Sequence, residues 1–248
     1  MIRGVIFDMD GLLIDTEPIW REVEIEIFGG LGLQLAENQL FETMGVRVAE
    51  VVAMWYARHP WTGRSVAEVT EDIVDGVIHH VMAQGEPKPG VCDALAMVHA
   101  QSLPIAIASS SSERLIRAVV DRLKIQQYIS VICSADAERL GKPDPGVYLT
   151  AARQLGVDPH ACLALEDSPN GVLAAKAAGM YCIAVPDPNM AADPRIDEAD
   201  LRLPSLERFT PAVLAELSNL ATPARQADVA GDGGAPASSS GRRPPNHH

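Results

Sequence analysis

The sequence predicts an α/β fold: a parallel sheet with helices on both faces and an α-helical domain inserted after its first strand. Three observations lead there. From Pro87 onward, short apolar runs alternate with segments of helical period. One more apolar run, "IRGVIFD" at 2–8, stands alone at the start, and the stretch between the two regions has helical spacing. The polar, proline-bearing "AQGEPKPG" at 83–90 offers a return linker.

Taken in order, 2–8 reads as a short buried strand rich in Val, Ile and Phe. "IWREVEIEIFGGLGL" carries apolar residues at helical spacing, and Pro18 suits the first turn of a helix. Further helical segments cover about 48–58 and 66–82. Beyond the linker, "PIAIAS" is a strand and "SERLIRAVVDRLK" a helix; "VICSA" is a strand and "PGVYLTAARQLG" a helix. "CLALED", "SPNGVLAAKAAG" and "YCIAVP" complete the alternation as strand, helix and strand. The expected organisation is a core of 1–15 and 88–220, a helical insert of 16–87, and a tail of 221–248. That tail is Ala, Gly, Pro and Ser without periodicity, so disorder is expected there.

Hydrophobic residues at 47% and charged residues at 21% fit a soluble globular protein. The net charge of −13 argues against non-specific nucleic-acid binding, which needs a positive footprint. No apolar run of about 20 residues is present, so no membrane span is expected. The four cysteines, Cys92, Cys133, Cys162 and Cys182, form no C-x-x-C pair and suggest inert core residues in a reducing cytoplasm. Nothing demands more than a monomer.

In such a sheet, ligands sit beyond the carboxyl ends of the strands. The first strand offers Asp8 and Asp10 there; "PIAIAS" offers Ser109, then Ser110, Ser111 and Ser112; "CLALED" offers Glu166 and Asp167. Lys142 lies between them in "LGKPDPGVY". Each alone has a structural explanation. Asp before Gly makes turns, Ser111 or Ser112 can cap a helix, and so can Asp167 or Ser168. If the ends converge, four carboxylates share one crevice, and two like charges ~4 Å apart repel by roughly 4 kcal/mol at an effective dielectric near 20. A cation would relieve this, and hard oxygen ligands with phosphate as co-ligand favour Mg²⁺. Asp8 is then placed to attack phosphorus, and Asp10 to act as general acid and base, with Gly11 freeing the backbone to turn. Lys142 and the Ser109 hydroxyl would neutralise the phosphoryl oxygens.

"FDMDG", "ASSSS", "GKPDP" and "LEDSPNG", in that order, resemble the four motifs of the haloacid dehalogenase-like superfamily, over about 1–220. The resemblance implies a Rossmann-like core with a helical cap. It also implies Mg²⁺ held by the Asp8 carboxylate, the Asp10 backbone carbonyl and Asp167, with Glu166 helping directly or from behind. Ser109, Ser110 and Lys142 would bind phosphate or substrate. An acid at position 10 is similar to phosphatases and phosphomutases. Dehalogenating relatives lack it, and transport ATPases carry Thr. Within that group the chain resembles the β-phosphoglucomutase-like branch. "DTEPIW" and "MWYARHPWTG" resemble stretches of its members that act on hexitol phosphate or 2-deoxyglucose 6-phosphate. The expected function is a Mg²⁺-dependent phosphatase of small phosphorylated sugars or polyols. The alternatives are a sugar phosphomutase, which in this branch carries His about where Trp20 stands, and a non-catalytic phosphate-binding regulator.

Substrate contacts from the cap are expected at Trp20, close to the catalytic loop, and at Arg47, in a loop that dips toward the site in relatives. Arg47 could equally be a solvated helix-start residue. The aromatics Trp20, Phe28, Phe41, Trp55, Tyr56 and Trp61 cluster in the insert. They would serve as an apolar wall for a sugar or as filling for the insert's own core.

Overall fold

The computed structural model describes residues 1–40, 43 and 45–220. The expected tail and Phe41 lie outside the described residues. Six parallel strands form one sheet in the order β3-β2-β1-β4-β5-β6. They are β1 (Gly4–Phe7), β2 (Ile105–Ser109), β3 (Val131–Ser134), β4 (Cys162–Glu166), β5 (Tyr181–Ala184) and β6 (Leu201–Arg202). β1 lies at the centre, paired with β2 on one side and β4 on the other. The strand order reverses beside it, so this is the point where an open α/β sheet leaves a crevice.

Alternation along the strands sorts side chains by size. Val5, Phe7, Ile105, Ile107, Leu163, Leu165 and Ile183 share one face of the core. Ile6, Ala106, Ala108, Ala164, Cys182 and Ala184 share the other. The small residues let the alanine-rich helices α7 (Gly146–Leu155) and α8 (Pro169–Ala177) pack close. The bulky face is covered by α5 (Val91–Ala100), α6 (Glu113–Leu123) and α9 (Pro211–Leu220). α5, α9 and the two-residue β6 extend the fold beyond the segments that periodicity predicts.

Between β1 and β2 lies the expected helical region: α1 (Glu17–Gly30), α2 (Glu37–Leu40), α3 (Val48–Arg58) and α4 (Val66–Gln84). α4 begins with a capping box, in which the Ser65 hydroxyl accepts from the Glu68 N–H while the Glu68 carboxylate accepts from the Ser65 N–H. Of the insert's five described aromatics, three fill its own interior. Phe28, Trp55 and Trp61 are buried, with Phe28 tilted against Trp61 at 6.2 Å between rings. Tyr56 packs edge-on against Trp61 at 4.8 Å. The chain enters and leaves the insert side by side: Ile14 bridges to Pro87, and the Lys88 N–H donates to the Leu13 carbonyl at 3.1 Å.

Cys133, Cys162 and Cys182 are buried and unbridged, and burial pushes the Cys133 thiol up to about 11 and the Cys162 thiol up to about 12. Cys92 departs from the expectation of a core cysteine, because α5 turns it to solvent. Among the described residues, no helix is long and apolar enough to cross a membrane.

Candidate active site

β1 ends at Phe7, and the next residue, Asp8, stands at the carboxyl edge of the central strand. Its backbone N–H is held by the Leu165 carbonyl at 3.0 Å, which continues the pairing with β4. β4 ends on Glu166 and delivers Asp167 beside it. One oxygen from each of Asp8, Glu166 and Asp167 lies within 4.8 Å of the others, and all three residues are buried. Two glycines make room. A Cβ on Gly11, whose φ is +75°, would meet Asp167 Oδ2 at 2.0 Å, and one on Gly171 would meet the Glu166 carboxyl at 1.9 Å.

Lys142 enters this cluster from the loop before α7. Its ammonium donates to Asp8 Oδ1 at 2.6 Å, to Glu166 Oε1 at 2.6 Å and to the Ala108 carbonyl at 3.1 Å. Burial opposes a charged ammonium, but Asp8 and Glu166 outweigh it and hold the Lys142 pKa above its ordinary value. Burial, then the neighbouring Glu166, pushes Asp8 well above the usual carboxylate range despite Lys142. Asp167 is pushed up by burial, then by Asp8 and Glu166. One ammonium therefore does not satisfy three buried acids. A hard dication fits the donor set, since its charge would let neighbouring carboxylates ionise together.

Glu166 is the most engaged of the three. Besides Lys142, its Oε1 accepts from the Tyr148 hydroxyl at 2.5 Å. Its Oε2 accepts from the Asp167 N–H at 3.1 Å and the Ser168 hydroxyl at 3.3 Å. Ser168 itself caps α8, accepting from the Gly171 N–H at 3.1 Å. Glu166 thus fixes Lys142 and the start of α8 before any ligand arrives.

Asp10 faces the same opening from the turn after β1. Its Oδ1 accepts from Thr16 Oγ1 at 2.6 Å and from Trp20 Nε1 at 3.1 Å. Its Oδ2 accepts from Ser111 Oγ at 2.7 Å and Ser109 Oγ at 3.2 Å. Insert and core therefore grip the same carboxylate. Ser112, not Ser111, caps α6, which leaves the Ser111 hydroxyl for Asp10. Ser110 has a buried hydroxyl oxygen with no hydrogen-bond partner among the described residues, and it borders the cavity.

The cavity encloses about 710 Å³ of space, part of it open to solvent. Asp8, Asp10, Ser109, Ser110, Lys142 and Asp167 line the core side. Trp20 lines the opposite side on α1, joined by Glu17, Arg21 and Glu24 at the i, i+4, i+7 spacing of one helix face. Arg47 is placed elsewhere. Its guanidinium donates to the Ala135 carbonyl at 3.2 Å and the Glu138 carbonyl at 3.1 Å, pairs with Glu50, and does not border the cavity. Of the expected residues, Asp8, Asp10, Trp20, Ser109, Ser110, Lys142 and Asp167 border one opening; Glu166 lies fully buried behind it against Lys142, and Arg47 lies away from it.

Ser111, read in the sequence only as a serine after the second strand and a possible helix cap, joins the site, and so do Thr16, Tyr148, Glu17 and Glu24, which were not singled out there. The i, i+4, i+7 spacing of Glu17, Arg21 and Glu24 around Trp20 was the available signal for the last two.

A family profile described as haloacid dehalogenase-like hydrolase matches residues 2–179. Hexitol phosphatase B of Escherichia coli (strain K12) is 42% identical over 210 residues, covering 84% of this chain and 95% of that protein. Fructose-1-phosphate phosphatase YqaB of Escherichia coli (strain K12) is 31% identical over 185 residues, covering 73% of this chain and 95% of its own. Among solved structures, a mutant of CbbY from Rhodobacter sphaeroides in complex with xylulose-(1,5)bisphosphate superposes with a TM-score of 0.77 at 28% identity, covering 84% of this chain and 96% of that chain.

Proposed function

The chain belongs to the haloacid dehalogenase-like hydrolases and is a phosphatase of that family, and from that premise we propose that it hydrolyses small sugar or sugar-alcohol phosphates through a phosphoryl group carried on Asp8. Substrates of the hexitol phosphate or 2-deoxyglucose 6-phosphate type fit best, given the similarity to hexitol phosphatase B. The observation that carries the reading is Asp8 beside Lys142 and Asp167 on one wall of a cavity, with Asp10 held at its mouth.

In the first half-reaction an Asp8 carboxylate oxygen forms a bond to phosphorus while the ester oxygen leaves. Asp10, as the acid, gives its proton to the departing alkoxide. In the second, Asp10, now the carboxylate, takes a proton from water as that water attacks the same phosphorus. The bond to Asp8 breaks, and inorganic phosphate leaves with Asp8 restored. Lys142 stays charged beside Asp8 throughout and faces the growing negative charge. Ser109 and Ser110 border the space for the remaining phosphoryl oxygens.

Mg²⁺ would be held by Asp8, Asp167 and the Asp10 backbone carbonyl, with Glu166 adjoining. It would supply positive charge for the phosphoryl oxygens. Residues 16–87 would form the cap, closing over the substrate to exclude bulk water.

The test is release of inorganic phosphate from sugar, polyol and nucleotide monophosphates with Mg²⁺. The expected result is turnover concentrated on hexitol and hexose phosphates, silenced reversibly by EDTA. Conversion to an isomeric sugar phosphate without phosphate release would instead identify a mutase, and inertness across the panel would favour a non-catalytic regulator.

A further inference from the structure

Glu24 is buried, with 7% of its surface exposed, yet it borders the cavity from the second turn of α1. Among the described residues its carboxyl has no hydrogen-bond or ion-pair partner. Its nearest charged influence is another acid, Glu17, one face-repeat earlier on the helix. Arg21 weighs on Glu17; no cation is felt at Glu24. The apolar side chains of Leu40, Val48 and Val51 line the same cavity from α2 and α3. Its carboxyl faces the cavity rather than being sealed in the core, so a ligand entering there meets it. A fold keeps such a group where a ligand completes it.

Resting on the reading of the site given above, we propose that Glu24 is a specificity-determining residue. It receives the hydroxyl groups at the end of the substrate remote from the phosphate, and so selects polyhydroxylated chains. Position and chemistry agree on this. Trp20 touches Asp10, where the ester is cleaved, and Glu24 lies one helical turn further, about 6 Å along the axis. An extended chain advances roughly 1.2 Å per bond, so five or six carbons cover that distance. Burial, then Glu17, pushes the Glu24 carboxyl up to about 8. Near neutral pH it is therefore mostly the neutral acid, with one donor and acceptor capacity to spare. That suits hydroxyl groups, which also donate and accept.

The experiment compares the full chain, Glu24→Gln and Glu24→Leu, with Mg²⁺, on a hexitol 6-phosphate and on an alkyl phosphate lacking hydroxyls. The readouts are the ratio of the two kcat/KM values and the melting temperature. The ratio should fall about 10- to 100-fold in Glu24→Leu, chiefly through KM for the hexitol ester, the loss of one or two good hydrogen bonds. It should stay within about threefold in Glu24→Gln, whose amide also donates and accepts. Glu24→Leu should melt higher than the parent, because an unpartnered buried acid has been removed. An unchanged ratio in Glu24→Leu, or a lower melting temperature, would overturn the inference while leaving the phosphatase reading intact. A parent protein that releases phosphate from neither ester would overturn both.

Discussion

The hydroxyls of Thr16, Ser109 and Ser111 can each reverse, donating to an ionised Asp10 or accepting from a protonated one, whereas the indole N–H of Trp20 only donates. A group that must serve as acid and then as base needs partners that tolerate both states, with one that keeps its orientation fixed. Trp20→Phe should therefore keep the cavity wall but lower kcat about tenfold, the loss of one hydrogen bond to a charged group. An unchanged kcat in phosphate-release assays would remove Trp20 from this positioning role. Asp10→Ala should cost more, roughly 10²–10⁴-fold, as loss of the general acid and base. Glu24 also leaves a mark on stability. Its folded pKa of about 8 exceeds the ordinary 4.5, so across that window the folded state keeps a proton that the unfolded chain releases. Stability must then fall as pH rises from about 5 to about 8, by an amount on the order of a few kcal/mol. Glu17, raised to about 7 by burial and then by Asp10, acts in the same direction. Melting curves of Glu24→Gln should show a shallower fall than the parent; equal slopes would contradict this.

At the scale of elements, β1, β2 and β4 were legible because each is buried along its length and reads as an unbroken apolar run leading into Asp, Ser or Glu, and β3 and β5 were legible as short apolar runs between helical segments. β6 was not, since two residues, one of them an exposed Arg202, carry no period. Asp8, Asp10, Ser109, Ser110, Glu166 and Asp167 were legible for the same reason, standing at or just past a strand end, and Lys142 from its place in the loop before α7. Thr16 and Ser111 were not, because hydroxyls next to helix starts ordinarily cap helices, and only the folded chain shows that Ser112 takes that duty at α6. Arg47 was expected either to contact substrate, from the loop's place in relatives, or to be a solvated helix-start residue; what its sequence position hid was the pair of carbonyls at Ala135 and Glu138 across the fold. It now ties the start of α3 to the segment after β3. If residues 16–87 swing as a cap about the paired crossings at Ile14 and Pro87, those bonds must break for it to open. Arg47→Ala should therefore shift the molecule toward the open form, raising KM several-fold and enlarging the radius of gyration by scattering. Identical scattering profiles would show that Arg47 does not hold the two parts together.

For the molecule as a whole, the acidic cluster is a point of frustration that a divalent ion would relieve. Three buried carboxyls sit against one ammonium, and two of them are driven well above the usual carboxylate range. An ion that binds only the folded state stabilises it by mass action, about 2.7 kcal/mol at a hundred times its Kd. Mg²⁺ should thus raise the melting temperature, EDTA should reverse this, and Asp167→Asn should blunt the response. A melting temperature indifferent to Mg²⁺ would remove the metal from the account. The net charge of −13 gives no hint of this local need, since it counts acids without saying where they meet. The family resemblance implied the convergence, and the pairing of β1 with β4 is what brings it about.

The claim on which the chemistry rests is that Asp8 itself carries the phosphoryl group. Rapid quenching of the protein during turnover, followed by digestion and mass spectrometry, tests it most directly. The account predicts a phosphoryl adduct on the peptide containing Asp8, removed by hydroxylamine and missing in a folded Asp8→Asn variant that has lost at least about 10⁴-fold of its turnover. An adduct on another residue, or full activity in Asp8→Asn, would contradict it.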